Sequence, residues 1–150
     1  MTIRPVEDGD RGAWADMRDR LWPDGFAAHL ADIENFFSGD SPDIVAAFVA
    51  VEDAGPVGFI ELNLRIYAEG VEESPVPYVE GWFVEEAYRG RGYGEALIMR
   101  AEDWAREQGY GVLASDSELH NEPAIRAHKA LGFDEVERIV CFVKKLGSGS

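Results

Sequence analysis

A glycine-rich loop between a strand-like and a helix-like segment restricts the fold of this chain more than any other feature. The loop reads YRGRGYGE, from Tyr88 to Glu95, and holds three glycines and two arginines. The apolar run YVEGWFV before it is typical of a central strand, and EALIMRAEDWAREQ after it has apolar residues at helical spacing. A strand, a glycine loop and a helix in this order predict an α/β chain in which helices pack on a sheet.

The other periodic segments complete an element order of β-α-α-β-β-β-α-β-α-β, which predicts a mixed sheet with helices on both faces. DIVAAFVAVE and VGFIELNLRI are predicted to form a hairpin, and DEVERIVCFVKK one or two closing strands. We expect Asp8 or Asp10 to cap the first helix, and Asn121 the last one. The second helix is predicted to carry Leu30 on its apolar face. Gly81, inside the central strand, indicates a bulge or a close backbone approach.

Length and composition favour one domain in a reducing compartment. A chain of 150 residues can bury a core by itself, so we expect a single domain over residues 1–146, and the closing GSGS at 147–150 reads as a linker or tag remnant. No apolar run approaches the ~20 residues that span a bilayer. A single cysteine, Cys141, excludes an internal disulfide and fits the cytoplasm.

The charge of the chain favours a cationic partner. The formal net charge is -15, which makes nucleic acid an unsuitable partner because a phosphate backbone requires a basic face. The charge is uneven, since the segment from Tyr67 to Tyr88 holds six glutamates and no lysine or arginine. Carboxylates on a folded segment attract cations over a long range. The alternative is that the acidity serves solubility alone.

The glycine loop departs from two familiar phosphate-binding sequences but keeps their physical features. It lacks the Lys-Ser/Thr of a P-loop, and the dinucleotide pattern begun by Gly90 and Gly92 ends at Glu95 instead of glycine. A helix N-terminus preceded by glycines still offers main-chain N–H groups to an anion, and Arg89 and Arg91 add positive charge. A pyrophosphate-bearing cofactor is therefore one interpretation, and a tight turn without a ligand is the other.

Two motifs resemble those of the GNAT superfamily of N-acetyltransferases. The first is the acetyl-CoA signature [Q/R]-x-x-G-x-[G/A], matched by the loop. The second is N-x-x-A-x-x-x-Y-x-x-x-G-F, which NEPAIRAHKALGF resembles through Asn121, Ala124, Gly132 and Phe133. The resemblance spans Thr2 to Lys145. It implies the GNAT fold, an α/β (α+β) arrangement with a mixed, mostly antiparallel central sheet, a splayed pair of neighbouring strands and helices on both faces.

Further segments resemble the aminoglycoside 6'-N-acetyltransferases, namely WPDG, SPVPYVEGWFVEEAYRGRGYG, ASDSELHN and AHKALGFDEVERIVCFVK. This resemblance implies an antibiotic-resistance enzyme with acetyl-CoA as the donor and a deoxystreptamine aminoglycoside as the acceptor, acting by direct attack in a ternary complex. Such an acceptor is a polycation, which fits the acidic segment. The resemblance also implies a homodimer, with no nucleic acid or membrane as partner.

The resemblance implies acceptor contacts at Trp22, Tyr67, Glu80, Asp116 and Glu137, and Glu73 is expected to bind a further amine. Glu80 also stands out chemically, because a carboxylate in an apolar central strand is costly unless it has a partner or a function. Strand alternation puts Glu80 on the same face as Tyr78 and Trp82. We therefore expect Glu80 to accept the amine proton, directly or through water. Asp116 ends VLASD, at the carboxyl end of a strand, where open α/β sheets place ligands.

Each of these residues also has a structural interpretation. Trp22 could belong to the core, Tyr67 to the rim of a loop, Asp116 to a capped turn and Glu137 to a solvated strand face. His128 stands where family members often have the tyrosine that protonates the leaving thiolate; it could take this role or pack on its helix.

The implied cofactor contacts are the main chain of Trp82, Phe83 and Val84, the loop residues Arg89, Gly90, Arg91, Gly92, Tyr93 and Gly94, and Asn121. The main chain around Phe83 would donate to the oxyanion. Cys141 lies in an apolar run with no histidine near it in sequence, so a covalent route is not expected. The three histidines lack metal-ligand spacing, and no metal is expected.

Two other functions stay open on sequence alone. One is a GNAT enzyme that acetylates a different amine, such as a polyamine or a protein N-terminus. The other is a protein that binds acetyl-CoA or the drug without turnover.

Overall fold

The computed structural model describes residues 1–147, which fall into two compact units, Met1–Asp116 and a second that begins at Ser117. Of the GSGS expected to be a linker, residues 148–150 lie outside the described part, and the single domain 1–146 stays a prediction. The elements of the first unit are β1 (Thr2–Pro5), α1 (Arg11–Leu21), α2 (Phe26–Ser38), β2 (Ala46–Glu52), β3 (Gly55–Arg65), β4 (Val76–Val84), α3 (Tyr93–Glu107) and β5 (Ala114–Ser115). The second unit holds α4 (Glu122–Ala130).

The five strands form one sheet in the order β1-β2-β3-β4-β5, antiparallel except for the parallel pair β4 and β5. This confirms the mixed, mostly antiparallel sheet. The β4–β5 ladder consists only of Tyr78 with Ala114 and Val79 with Ser115. The two strands therefore separate after Val79, which is the splayed pair that the resemblance implies.

Helices cover both faces of the sheet, as predicted. Gly58 and Phe59 are successive residues of β3 and face opposite sides. A Cβ at Gly58 would lie 3.3 Å from Leu97 of α3. Phe59 instead belongs to a buried cluster with Trp14 of α1 and Ile33 of α2. The sheet thus has an α3 face and, opposite to it, a face covered by α1 and α2 that we call the α1 face.

The packing between α1 and α2 corrects one sequence prediction. Trp14 is fully buried, and its ring meets Phe36 and Phe37 edge-on at centroid distances of 5.5 and 6.1 Å. Leu30, expected on the apolar face of α2, is 47% exposed, whereas His29 is buried. His29 precedes the core residue Ile33 by four positions and shares its stripe, so Leu30 is turned about 100° away from the core.

The two predicted helix caps have different outcomes. Asp10 precedes α1, but its side chain does not cap that helix. Its carboxylate instead accepts a hydrogen bond from the N–H of Glu7 at 2.8 Å and pairs with Arg4 at 2.7 Å, which closes the preceding turn. Asn121 caps α4 as predicted, because its Oδ1 accepts from the N–H of Ala124 at 3.2 Å.

The closing strands predicted from DEVERIVCFVKK are not formed, since no residue from 134 to 147 belongs to a helix or strand. The apolar alternation of this segment is strand-like, but a strand also requires a hydrogen-bonded neighbour. Phe142 and Val143 are 88% and 91% exposed there.

Among residues 1–147 no helix has both the length and the apolar character that crossing a membrane requires.

Candidate functional site

A β-bulge in β4 sets the position of Glu80. In the ladder between β3 and β4, Leu62 is opposite Val79 and Glu61 is opposite Gly81. Glu80 is therefore an extra residue with no counterpart on β3. Such bulges re-aim side chains and are common beside active sites. The bulge that Gly81 indicated in the sequence is present at this point.

The bulge also changes which side chains of β4 share a face. Tyr78 is opposite Asn63 and Trp82 is opposite Ile60, and because these β3 residues are three positions apart they face opposite sides. The predicted common face for Glu80, Tyr78 and Trp82 is thus wrong for Trp82. One inserted residue shifts the alternation, so Trp82 faces α3 and Tyr78 faces the α1 side.

Glu80 is held by an arginine that the sequence prediction missed. Arg65, the last residue of β3, donates from Nε to Oε1 of Glu80 at 2.6 Å and from Nη2 to Oε2 at 2.8 Å. Its guanidinium also lies 3.6 Å from the centre of the Tyr78 ring. The Tyr78 hydroxyl donates to Oδ2 of Asp116 at 2.9 Å. This continuous set of contacts, which we call the carboxylate network, joins both predicted catalytic carboxylates.

Electrostatics fix the protonation of the two connecting residues. Burial, together with the hydrogen bond donated to Asp116, raises the pKa of Tyr78 far above its usual value. The phenol therefore stays a hydrogen-bond donor at any physiological pH. The hydrogen bonds to Glu80 raise the pKa of Arg65, so the guanidinium remains charged. Asp116 is exposed and Glu80 is half-buried, which leaves both carboxylates open to an incoming amine.

Trp22 lies on the same face, directly beside the bulge. A Cβ built on Gly81 would come within 2.6 Å of Cη2 of the Trp22 ring. The guanidinium of Arg18 lies 5.1 Å from the centre of this ring, and Nε2 of His29 lies 2.8 Å from the main-chain oxygen of Trp22. Trp22, a predicted acceptor contact, is therefore packed against β4 next to Glu80.

Gly81→Ala is expected to destabilise the protein by about 1–3 kcal/mol and to displace the Trp22 ring, because the added methyl overlaps that ring. Urea unfolding and tryptophan fluorescence check both effects. Gly12→Ala is the matched control, since a Cβ at this helical glycine meets nothing within 4 Å. Unchanged stability and fluorescence in Gly81→Ala would contradict the close packing.

A second carboxylate, Glu61, is buried beneath this face at 1% exposure. It accepts a hydrogen bond from Nε1 of Trp14 at 3.0 Å and forms an ion pair with Nε of Arg18 at 2.9 Å. Burial raises the pKa of Glu61 to about 7, and the positive charge of Arg18 opposes that rise. The signal that indicates Glu80, an acid inside an apolar strand, is equally present for Glu61 in VGFIELNLRI.

The glycine loop has the backbone conformation that an anion site requires. Gly90 and Gly92 have φ values of +77° and +88°, which glycine adopts without strain. Gly92 directly precedes α3, and no side chain caps that helix start among the described residues. Because a Cβ at either glycine would meet nothing within 4 Å, the loop backbone borders open space. The main chain here can bind phosphate oxygens.

The loop is tied to β4 at both ends. Arg89 donates from Nε to the main-chain oxygen of Val84 at 2.8 Å, and its guanidinium lies 5.4 Å from the centre of the Phe83 ring. Trp82 donates from Nε1 to the main-chain oxygen of Gly94 at 3.1 Å. These contacts bring the predicted cofactor residues of β4 and the loop together.

Tyr93 and Arg91 have different surroundings within this loop. Tyr93 is buried, and its hydroxyl donates to the carboxylate of Glu52, so its side chain serves the fold. Its main chain is the part that a cofactor could contact. Arg91 is exposed, with its guanidinium 5.6 Å from the centre of the Tyr88 ring.

The remaining predicted residues lie in two places, the segment between β3 and β4 and the second unit. Tyr67 is 66% exposed and Glu73 is exposed, both in the segment between β3 and β4. In the second unit, Nδ1 of His128 lies 2.7 Å from the main-chain oxygen of Ala124, and Glu137 is exposed. Their roles, and that of Asn121 toward a cofactor, stay predictions.

Residues 1–147 contain no cluster of potential metal ligands.

Comparisons with known proteins agree with one another. A family model described as acetyltransferase (GNAT) family matches residues 13–133. The chain is similar to an aminoglycoside N(6')-acetyltransferase type 1 of Klebsiella aerogenes, with 42% identity over 146 residues and 96% of each chain covered. A protein of the same name from Stenotrophomonas maltophilia is 40% identical over 149 residues, which cover 94% of this chain and 91% of that protein.

Solved structures give the same relationship. AAC(6')-Iy in complex with the bisubstrate analog CoA-S-monomethyl-acetylneamine is 34% identical, with a TM-score of 0.88, covering 97% of this chain and 98% of that one. The aminoglycoside 6'-N-acetyltransferase AAC(6')-IG from Acinetobacter haemolyticus, in its apo form, is 33% identical with a TM-score of 0.88, covering 97% and 99%.

Proposed function

Because this chain belongs to the acetyltransferase (GNAT) family, we propose that it transfers the acetyl group of acetyl-CoA to the 6'-amine of aminoglycoside antibiotics. The observation that carries the proposal is the carboxylate network, which holds Glu80 and Asp116 together where β4 and β5 separate. Relatives with this activity in their names cover nearly the whole chain.

The glycine loop fits the pyrophosphate of coenzyme A. Two left-handed glycines, open space beside their backbone and the uncapped start of α3 favour a bound anion. Arg89 and Arg91 add positive charge beside it. When bound, acetyl-CoA supplies a thioester carbonyl that an amine can attack.

The residues of β4 would carry the chemistry. Glu80, directly or through water, accepts a proton from the substrate ammonium, so that the neutral nitrogen can bond to the thioester carbon. The main chain around Phe83, beyond the end of the β4–β5 ladder, donates to the oxygen that becomes negative. The carbon–sulfur bond then breaks and the thiolate leaves with the electron pair, while the nitrogen loses its second proton to the thiolate, directly or through water, to give the amide and coenzyme A. Asp116 binds and orients the cationic acceptor.

The charge of the chain suits this acceptor. The net charge of -15 and the glutamates between Tyr67 and Tyr88 attract a polycation and disfavour nucleic acid or an anionic membrane surface. Glu72 and Glu73 are exposed in this segment, and we propose that they bind further amines. We also propose a homodimer in the cytoplasm, where the exposed thiol of Cys141 would stay reduced. Light scattering after size-exclusion chromatography tests the dimer.

Free-thiol release from acetyl-CoA tests the function. Purified protein is assayed with kanamycin, with a matched aminoglycoside that has a hydroxyl at the 6' position, and with spermidine. We expect turnover with kanamycin alone. Turnover only with spermidine would identify an enzyme for another amine, and acetyl-CoA binding without any turnover would leave a binding protein.

Gly92→Ala is expected to raise the KM for acetyl-CoA about tenfold or more, because a distorted loop loses hydrogen bonds to a charged group. Gly109→Ala is the matched control, since Gly109 follows α3 with a φ of +90° and open space at its Cβ. Both substitutions are expected to cost roughly 1–2 kcal/mol of stability. An equal KM for acetyl-CoA in the two variants would exclude the loop from the cofactor site.

A further inference from the structure

We propose that Arg65 is the positioning residue of the acceptor site. Its two hydrogen bonds fix Glu80, and its stacking on Tyr78 keeps that hydroxyl directed at Asp116. One side chain thus sets the geometry of both carboxylates. The inference rests on the proposed function, because it concerns the same site, and it assigns a role to a residue that contacts no reacting atom.

Arg65 holds Glu80 with two parallel hydrogen bonds, which we call the fork, and their geometry supports a positioning role. Nε and Nη2 of Arg65 each donate to a different oxygen of Glu80, so the carboxylate plane is fixed as well as its distance. An ionised carboxylate has about four lone-pair sites, and the fork uses two of them. Glu80 therefore keeps acceptor sites for a water molecule or the substrate amine while it is held.

The bulge explains why another residue must fix the direction of the Glu80 side chain. Glu80 has no partner residue on β3, so the regular ladder does not define the direction of its side chain. Arg65 lies at the end of β3 and is opposite Val76, four positions before Glu80 on β4. The arginine reaches back along the sheet, across the Tyr78 ring, and ties the extra residue to the neighbouring strand.

Stability alone does not account for this arrangement. The Arg65 and Glu80 side chains are 38% and 23% exposed, and ion pairs open to water contribute only about 0–1 kcal/mol. A lysine at this position would supply the charge but not the planar fork. What the arginine adds is a defined orientation of Glu80 and, through the aromatic ring, of Asp116.

Charge is the second contribution of Arg65. Two carboxylates in one site repel each other unless a cation lies near them. Arg65 contacts Glu80 directly and stacks on the Tyr78 ring, whose hydroxyl binds Asp116. The guanidinium therefore offsets the repulsion between the two acids that are proposed to act on an ammonium group.

A double-mutant cycle tests whether Arg65 acts through Glu80. Arg65→Met is expected to lower kcat with kanamycin by about 10–100-fold, since small misplacements of catalytic groups have effects of this size. The KM for acetyl-CoA is expected to stay unchanged. In Glu80→Gln, adding Arg65→Met is expected to lower kcat no further. Arg65→Lys is expected to fall between the wild type and Arg65→Met, because it restores charge without the fork.

Arg106→Gln is the matched control, because Arg106 is an exposed arginine near the end of α3 whose partner is Asp103 at 3.3 Å. Its kcat is expected to equal that of the wild type. Additive losses in the double variant, or full activity in Arg65→Lys, would overturn the inference. So would a rise in both KM values with no change in kcat, which indicates a general disturbance of the site.

A measurement without substrate separates this inference from the proposed function. The NMR signal of the Arg65 Nε–H is expected to be protected from solvent exchange in the wild type and to lose that protection in Glu80→Gln. A signal that exchanges rapidly in the wild type overturns the inference whatever the enzyme acetylates. Failure of the wild type to acetylate kanamycin, with the signal protected, overturns the proposed function only.

Discussion

Glu80→Gln is expected to lower kcat with an aminoglycoside by about 10²–10⁴-fold, the usual contribution of a positioned general base. Glutamine has nearly the same shape as glutamate, but it has no charge and cannot take up the amine proton. The KM for acetyl-CoA is expected to remain unchanged, because Glu80 is not among the residues that are predicted to bind the cofactor. Steady-state kinetics with varied acceptor and varied acetyl-CoA measure both parameters.

The control for this substitution is Glu107→Gln. Glu107 is an exposed glutamate at the end of α3, with its Oε1 3.6 Å from Nη1 of Arg100. Replacing it by glutamine is expected to leave kcat unchanged. Asp116→Asn separates the two carboxylates, since a binding role predicts mainly a higher KM for the aminoglycoside. If Glu80→Gln retained a kcat close to that of the wild type and Asp116→Asn did not, the proton acceptor would be Asp116.

Glu61→Ala is expected to lower the free energy of unfolding by about 3 kcal/mol or more, because it leaves the buried Arg18 without one of its partners. The substitution also removes the acceptor of the Trp14 N–H and opens a cavity between α1 and the sheet. Glu61→Gln keeps a hydrogen-bond acceptor and is expected to cost less. Urea unfolding of both variants measures these differences.

The cost of replacing Glu61 is expected to depend on pH. Its pKa is raised by burial from 4.5 to about 7, so the folded state binds the proton more tightly than the unfolded state does. The stabilisation that this proton gives the folded state is therefore complete below pH 4.5 and is lost as pH rises through about 7. The free energy of unfolding falls by about 3 kcal/mol over this range. Glu61→Gln should cost more at pH 5 than at pH 8.

The features that the sequence predicts correctly are those that a single segment determines. The catalytic role of Glu80 stays a prediction, whereas the helices, the hairpin and the bulge near Gly81 could all be predicted from single segments. Arg65 could not, because its role depends on the register between two strands and on a reach of several residues along the sheet. The same limitation explains the error at Trp82, where one inserted residue changed the face.

The predictions for Leu30 and for the closing strands were wrong because each was based on one segment without its neighbours in the fold. Leu30 was assigned to the core because it is apolar, while the helix presents His29 on that stripe instead. The closing strands were predicted from alternation in DEVERIVCFVKK, but alternation describes one strand and gives no information about a partner. Glu61 was within reach of sequence reasoning, because it is an acid in an apolar strand, as Glu80 is.

The extra residue in β4 has a consequence for how this strand can change in evolution. Deleting one residue between Val79 and Gly81 would give β3 and β4 a regular ladder without interruption. The same deletion would remove Glu80, the acid that Arg65 holds. Under the proposed function, the shorter strand would keep regular pairing with β3 but lose its proton acceptor. The extra residue in β4 would then be retained for the chemistry and not for the pairing of the strands.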